Sequence, residues 1–172
     1  KGNQTENQLM KKKRNKIGTI SLIILCLVAC DANRVYDSYV SISNQSWEKE
    51  KAISFSFNVK DTIQQRDLFI NIRNNNSYAF SNLFLITELN FPNGKKIVDT
   101  LEYEMADSTG RFLGAGFTEI KENKLFYKEK VVFPTMGYYK ISISQAMRKN
   151  GEIDGVLALE GITEVGFRIE KN

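Results

Sequence analysis

Across residues 51–60 every second side chain is large and apolar: Ile53, Phe55, Phe57 and Val59 alternate with Ser54, Ser56 and Asn58. An extended chain sends successive side chains to opposite faces, so this period of two specifies a half-buried β-strand; a helix would scatter the same residues around its axis. Leu68, Ile70 and Ile72 repeat the pattern. Leu83, Leu85, Leu89 and Phe91 do so again, and Phe84 with Ile86 on the other side predicts a strand covered on both faces. Pro92-Asn93-Gly94 reads as a turn, because Pro fixes φ and Asn-Gly accepts positive φ. Further strands are predicted over about 96–105, 124–133 and 138–146, then, after a turn at 149–151, a short apolar run at 156–159 and a last strand over 165–170. With a first strand from Val35, this makes eight or nine short strands. The predicted fold is all-β: a single antiparallel β-sandwich, jelly-roll or Ig-like. Residues 145–148 could begin one turn of helix, too short to stand alone, and 74–77, Asn-Asn-Asn-Ser, reads as an exposed loop tip.

The amino-terminal region has a different pattern. From Met10, a basic head of Lys11, Lys12, Lys13, Arg14 and Lys16 precedes an apolar segment over 17–29, which ends in Leu27-Val28-Ala29-Cys30. This is the layout of a bacterial secretory leader. At 13 residues this segment falls short of the roughly 20 that a membrane-spanning helix needs. The last four residues match a lipobox, which makes Cys30 the acylated first residue of the mature chain. An ordinary signal peptide, or an uncleaved anchor with an incidental Cys30, is the competing reading. The expected division is therefore 1–29 for upstream residues and leader with Met10 as the start, 30–34 for the lipidated cysteine and a short tether, and 35–172 for the sandwich.

The leader also explains the charge. It holds six of the 24 basic residues and one of the 20 acids, so the overall +4 becomes −1 from Cys30 onward. No nucleic-acid partner follows from that balance. Cys26 lies in the leader and histidine is absent, so the body has no material for a disulfide, a His or Cys nucleophile, or an N/S metal site. No cofactor and no small-molecule substrate is indicated.

Asp99, Glu102, Glu104 and Asp107 crowd one stretch, and a carboxylate pair flanking a cleft can hydrolyse glycosides. In a strand, however, Glu102 and Glu104 share a face opposite Leu101, Tyr103 and Met105, and so read as a solvated side. Asp107-Ser108-Thr109 could supply oxygen ligands for calcium, but without EF-hand spacing. Gly110, Gly114 and Gly116 lack the Gly-Lys-Ser/Thr of a phosphate loop and suit a bulge or loop. Trp47, Tyr36, Tyr39, Tyr78 and Phe80 could line a sugar-binding face, though packing in core or rim accounts for them better.

Two motif blocks carry a family resemblance. Asp99-Thr100-Leu101-Glu102-Tyr103 with Ala106-Asp107, Gly110 and Leu113-Gly114-x-Gly116 is the first; residues 143–148, Ile-Ser-Gln-Ala-Met-Arg from Ile143 with Ser144 before Gln145, joined to Leu159-x-Gly161-Ile162-Thr163-x-Val165-Gly166, is the second. Together with Cys30, Val35-Tyr36 and Trp47, they make the chain resemble the gliding motility-associated lipoproteins of the GldH family, with Phe112 where Trp is expected. The resemblance implies a membrane-anchored, non-enzymatic component of the Bacteroidetes gliding apparatus linked to type IX secretion, without cofactor, whose partners are envelope proteins. Asp107, Gly110, Gly114, Gly116, Gln145, Met147 and Arg148 are the candidate contact residues, with the fixing of a turn and a strand crossing as the equal alternative. A lipid-anchored glycan-binding module is the alternative function. The short tether places the body close to the lipid, and the lack of an acidic run after Cys30 favours a periplasm-facing orientation, with inner or outer membrane open.

Overall fold

The structure, a computed structural model, describes residues 31–116, 118–149 and 151–172; the expected leader and the expected lipidation site at Cys30 lie outside the described residues. Ten strands follow in order: β1 (Arg34–Ser41), β2 (Ser46–Glu48), β3 (Ile53–Val59), β4 (Arg66–Asn74), β5 (Asn82–Asn90), β6 (Lys96–Glu104), β7 (Lys121–Val131), β8 (Gly137–Gln145), β9 (Ala158–Glu160) and β10 (Ile162–Lys171). One four-stranded sheet has the order β1-β10-β4-β7, the other β3-β8-β5-β6, and β2 pairs with β9 in a small third sheet; every pairing is antiparallel. Setting β2 and β9 aside, the eight remaining strands cross between the two sheets in the sequence of a jelly roll, which resolves the choice between jelly-roll and Ig-like connectivity.

The alternating residues become the core as their parity requires. Ile53, Phe55, Phe57 and Val59 face inward against Leu68, Ile70, Ile72, Ile141 and Phe167. Aromatic rings fill one end of the sandwich, where Phe57 lies 5.7 Å from Tyr139 and 5.6 Å from Phe167, and Phe133 meets Tyr139 edge-on at 4.9 Å. Such pairs add about 0.5–1.5 kcal/mol each beyond the area they bury. At the other end Trp47 is fully buried, its indole N–H donating to the Lys51 carbonyl at 2.9 Å.

Four features differ from the sequence-based reading. The strand count rises to ten because β2 and β9, of three residues each, place Trp47 opposite Leu159, and runs that short carry no detectable period. Among the described residues β5 is covered on one face only: Phe84 is half-buried and Ile86 is 41 % exposed on the outer side of its sheet. Residues 145–148 are extended, running on from β8 into a bridge between Arg148 and Gly155, and not a helical turn. The polar cluster at 74–77 is split: Asn76 and Ser77 are exposed, but Asn74 is buried and its Oδ1 accepts from Asn123 Nδ2 at 2.9 Å.

Candidate functional site

The loop after β6 is built around Asp107. Its Oδ1 accepts the Thr109 amide at 2.9 Å, the Thr109 hydroxyl at 2.6 Å and the Arg111 amide at 3.1 Å, while Oδ2 takes Arg111 Nε at 3.2 Å. The Thr109 hydroxyl and the Arg111 amide hold the carboxyl well below its usual range, at about 2. The Gly110 amide donates to the Asp107 carbonyl at 2.9 Å, closing a tight turn in which Gly110 has φ +82°, and Ala106 bridges to Phe112. Gly114 lies against the Asn123 side chain. At Gly116 a Cβ would come within 2.5 Å of the Ile120 carbonyl oxygen. This loop presents Gly110, Arg111, Leu113 and Gly116 to solvent.

The second block is anchored from within. Gln145 and Met147 are buried, and both ends of the Gln145 amide are used: Nε2 donates to the Val156 carbonyl at 2.7 Å, and Oε1 accepts the Met147 amide at 2.9 Å. Met147 Sδ accepts the Phe84 amide at 3.1 Å. Arg148 is the exposed member of the block. The two blocks meet at the start of β5, where the Ser81 carbonyl accepts the Met105 and Ala106 amides and the Phe84 carbonyl accepts the Ala146 amide. They therefore occupy the same end of the sandwich, one on each side of β5.

The acidic stretch does not converge on a cleft. Glu102 and Glu104 point outward, as their parity predicts. Asp99 turns inward at the edge, accepting the Tyr127 hydroxyl at 2.8 Å and pairing with Lys128 Nζ at 2.9 Å. Burial works against its charge, but Lys128 and Tyr127 outweigh it and its pKa is lowered. Trp47 and Tyr78 lie in the core, so neither contributes to an exposed stacking platform. Among the described residues no group of three or more His, Cys, Asp or Glu could hold a metal ion, and no helix is long and apolar enough to cross a membrane.

Sequence reasoning missed a polar lattice on the outer side of the β1-β10-β4-β7 sheet. The Tyr39 ring lies over Gly166, where a Cβ would meet it at 2.7 Å. Its hydroxyl donates to Glu122 Oε1 at 2.7 Å and accepts Asn71 Nδ2 at 2.8 Å. Arg73 stacks 4.5 Å from the Tyr39 ring centre and bonds both Glu122, through Nε at 3.1 Å, and Glu164. Burial, then the hydrogen bond to Glu122, raises the Tyr39 pKa. For Arg73, burial opposes the charge but the bonds to Glu164 and Glu122 prevail and raise its pKa. Asn71 is the one local signal, a buried amide between Ile70 and Ile72; its side-chain partner Tyr39 comes from β1, and Glu122 and Glu164 of the lattice come from β7 and β10.

The fold is thus an all-β jelly-roll sandwich that carries the Asp107 loop and the 145–148 block at one end. The sequence pattern of the family described as GldH lipoprotein matches residues 34–169, which is nearly all of the folded body. The chain is 56% identical over 149 residues to the gliding motility lipoprotein GldH homolog of Christiangramia forsetii, covering 87% of this chain and 91% of that protein. It is 49% identical over 154 residues to gliding motility lipoprotein GldH of Flavobacterium johnsoniae, covering 90% and 95%. This chain belongs to the GldH lipoprotein family. Among solved structures, the VP2 subviral particle of infectious bursal disease virus aligns with 83% of this chain and 34% of its own, at 15% identity and a TM-score of 0.40, too distant to bear on function.

Proposed function

We propose that this chain is a lipid-anchored envelope component of the gliding motility machinery, linked to type IX secretion, that acts through protein contacts as an assembly or stabilising factor. The observation that carries this reading is the family match across residues 34–169, shared with relatives named for gliding motility. Acylated Cys30 is the membrane attachment, and the body faces the periplasm. The docking surface is the end formed by the loop with Asp107, Gly110, Gly114 and Gly116 and by the 145–148 block, where buried Gln145 and Met147 fix the position of Arg148. Confinement to a membrane raises effective concentration, so the individual contacts need not be strong.

The test is a crosslinking pull-down of the intact lipoprotein beside Cys30→Ala. Gliding or secretion components should be recovered with the wild type and fade in the variant. Recovery of the protein alone, or with polysaccharide, would overturn the assembly reading and bring forward the glycan-binding module.

A further inference from the structure

The two ends of the sandwich differ in chemistry. The pairings Arg34 with Glu170, Arg66 with Val131, Val59 with Gly137 and Asn90 with Lys96 bring the start of β1 to the same end as the loops 60–65, 91–95 and 132–136. That end carries exposed apolar side chains, led by Ile63 at 84 % and Met136 at 64 % exposure, with Val35 and Val132 beside them. Arg34, Lys60, Lys95, Lys130 and Lys171 are exposed around them. Of the acids there, Asp61 faces Arg66, Asp67 accepts the Lys130 amide at 2.8 Å and the Asn172 side chain, and Glu170 pairs with Lys124 and Arg168, while Asp31 and Glu129 are exposed. In the segment between β8 and β10, at the opposite end, the balance reverses: Glu152, Asp154 and Glu160 outnumber Arg148 and Lys149.

The tether decides which end can meet a membrane. Only Asp31, Ala32 and Asn33 separate Cys30 from β1, a reach of about 14 Å at roughly 3.5 Å per residue. The eight residues of β1 extend about 26 Å away from that point. An anchor at Cys30 therefore keeps the basic, apolar-tipped end within reach of the headgroups and holds the acidic end away. Basic side chains interleaved with exposed apolar ones are the chemistry of an interfacial contact with anionic lipid.

We infer that the Arg34 end of the sandwich is a lipid-contact surface, with Ile63 and Met136 entering the headgroup region and Lys60 and Lys130 resting on anionic headgroups. This rests on the lipid-anchor reading of Cys30. It also turns the loop blocks around Asp107 and Arg148 away from the bilayer, toward a partner.

The test uses the acylated full chain in phosphatidylcholine vesicles with and without phosphatidylglycerol, the lipids brominated to quench tryptophan. Ile63→Trp and Met136→Trp place a reporter at exposed positions, and native Trp47, buried beyond the far end of β1, is the internal reference. The introduced tryptophans should lose about half of their emission when the interface is occupied. Trp47 should lose none, and Lys60→Glu with Lys130→Glu should weaken the quenching in vesicles containing phosphatidylglycerol. Protein that floats with the vesicles without quenching at either position overturns the inference while sparing the anchor. If such protein also loses envelope-protein crosslinks on Lys60→Glu, that end belongs to a protein contact instead. Wild-type chain that fails to float overturns the lipid-anchor reading itself, and this inference with it.

Discussion

A Cβ built on Gly161 would lie 2.2 Å from the Tyr78 amide nitrogen, and the residue has φ +84°. Alanine there meets two obstacles together, a left-handed backbone and a main chain that cannot move aside. Gly161→Ala should therefore lower stability by roughly 2–4 kcal/mol in urea unfolding. Gly94→Ala, with nearly the same φ of +82° but open space, should cost only about 1 kcal/mol. Equal losses at the two sites would show that the approach to Tyr78 carries no weight. Asp107 gives a different kind of residue-scale prediction. Its folded pKa of about 2 lies below the ordinary 3.8, so its contribution is present above the unfolded value and is lost as pH falls through about 2. Protection of the Thr109 and Arg111 amides, whose N–H groups it accepts, should fall relative to their intrinsic exchange rates as pH drops between those two values, and Asp107→Asn should abolish that response.

At the scale of elements, Gln145 fixes how β8 ends. A strand that simply stopped there would leave the Met147 amide and the Val156 carbonyl without partners in a dry setting; the Gln145 side chain satisfies both. Gln145→Ala should cost about 1–3 kcal/mol, the usual penalty for stranding buried polar groups. Hydrogen exchange should rise at Met147 while the β3–β8 pairing from Ile53 with Ile143 to Val59 with Gly137 stays protected. Loosening of the whole of β8 would instead mean that this crossing supports the sheet and not only the segment after it. The Tyr39–Arg73–Glu122–Glu164 lattice works across elements in the same way, because it joins the outer faces of β1, β4, β7 and β10. Those carboxylates are a third or so exposed, so the lattice sets strand register more than it adds stability.

At the scale of the whole molecule, two sheets of four strands form a body with unlike ends, one basic and tipped with apolar side chains, the other carrying the Asp107 and Arg148 blocks. In the proposed attachment through Cys30 a short tether gives that polarity a direction, which is why the pull-down and the vesicle experiment test opposite ends of one molecule. The sequence by itself determined the fold class, the inward faces of β3, β4 and β8 and the solvated side of Glu102 and Glu104, because alternation is a local property of an extended chain. Its motif blocks were also enough for the family. It also determined, by omission, that this body holds together without disulfides, since Cys26 and Cys30 both precede it. Only the tertiary structure decided the rest. The order β1-β10-β4-β7 pairs Arg34 with Glu170, and no local pattern encodes a contact across so much chain. The lattice around Tyr39, the burial of Gln145 and Met147 and the gathering of Lys60, Lys95 and Lys130 at one end all depend on that order. Which strand lies beside which is set by the summed packing of two complete sheets, and that sum exists only once both have formed.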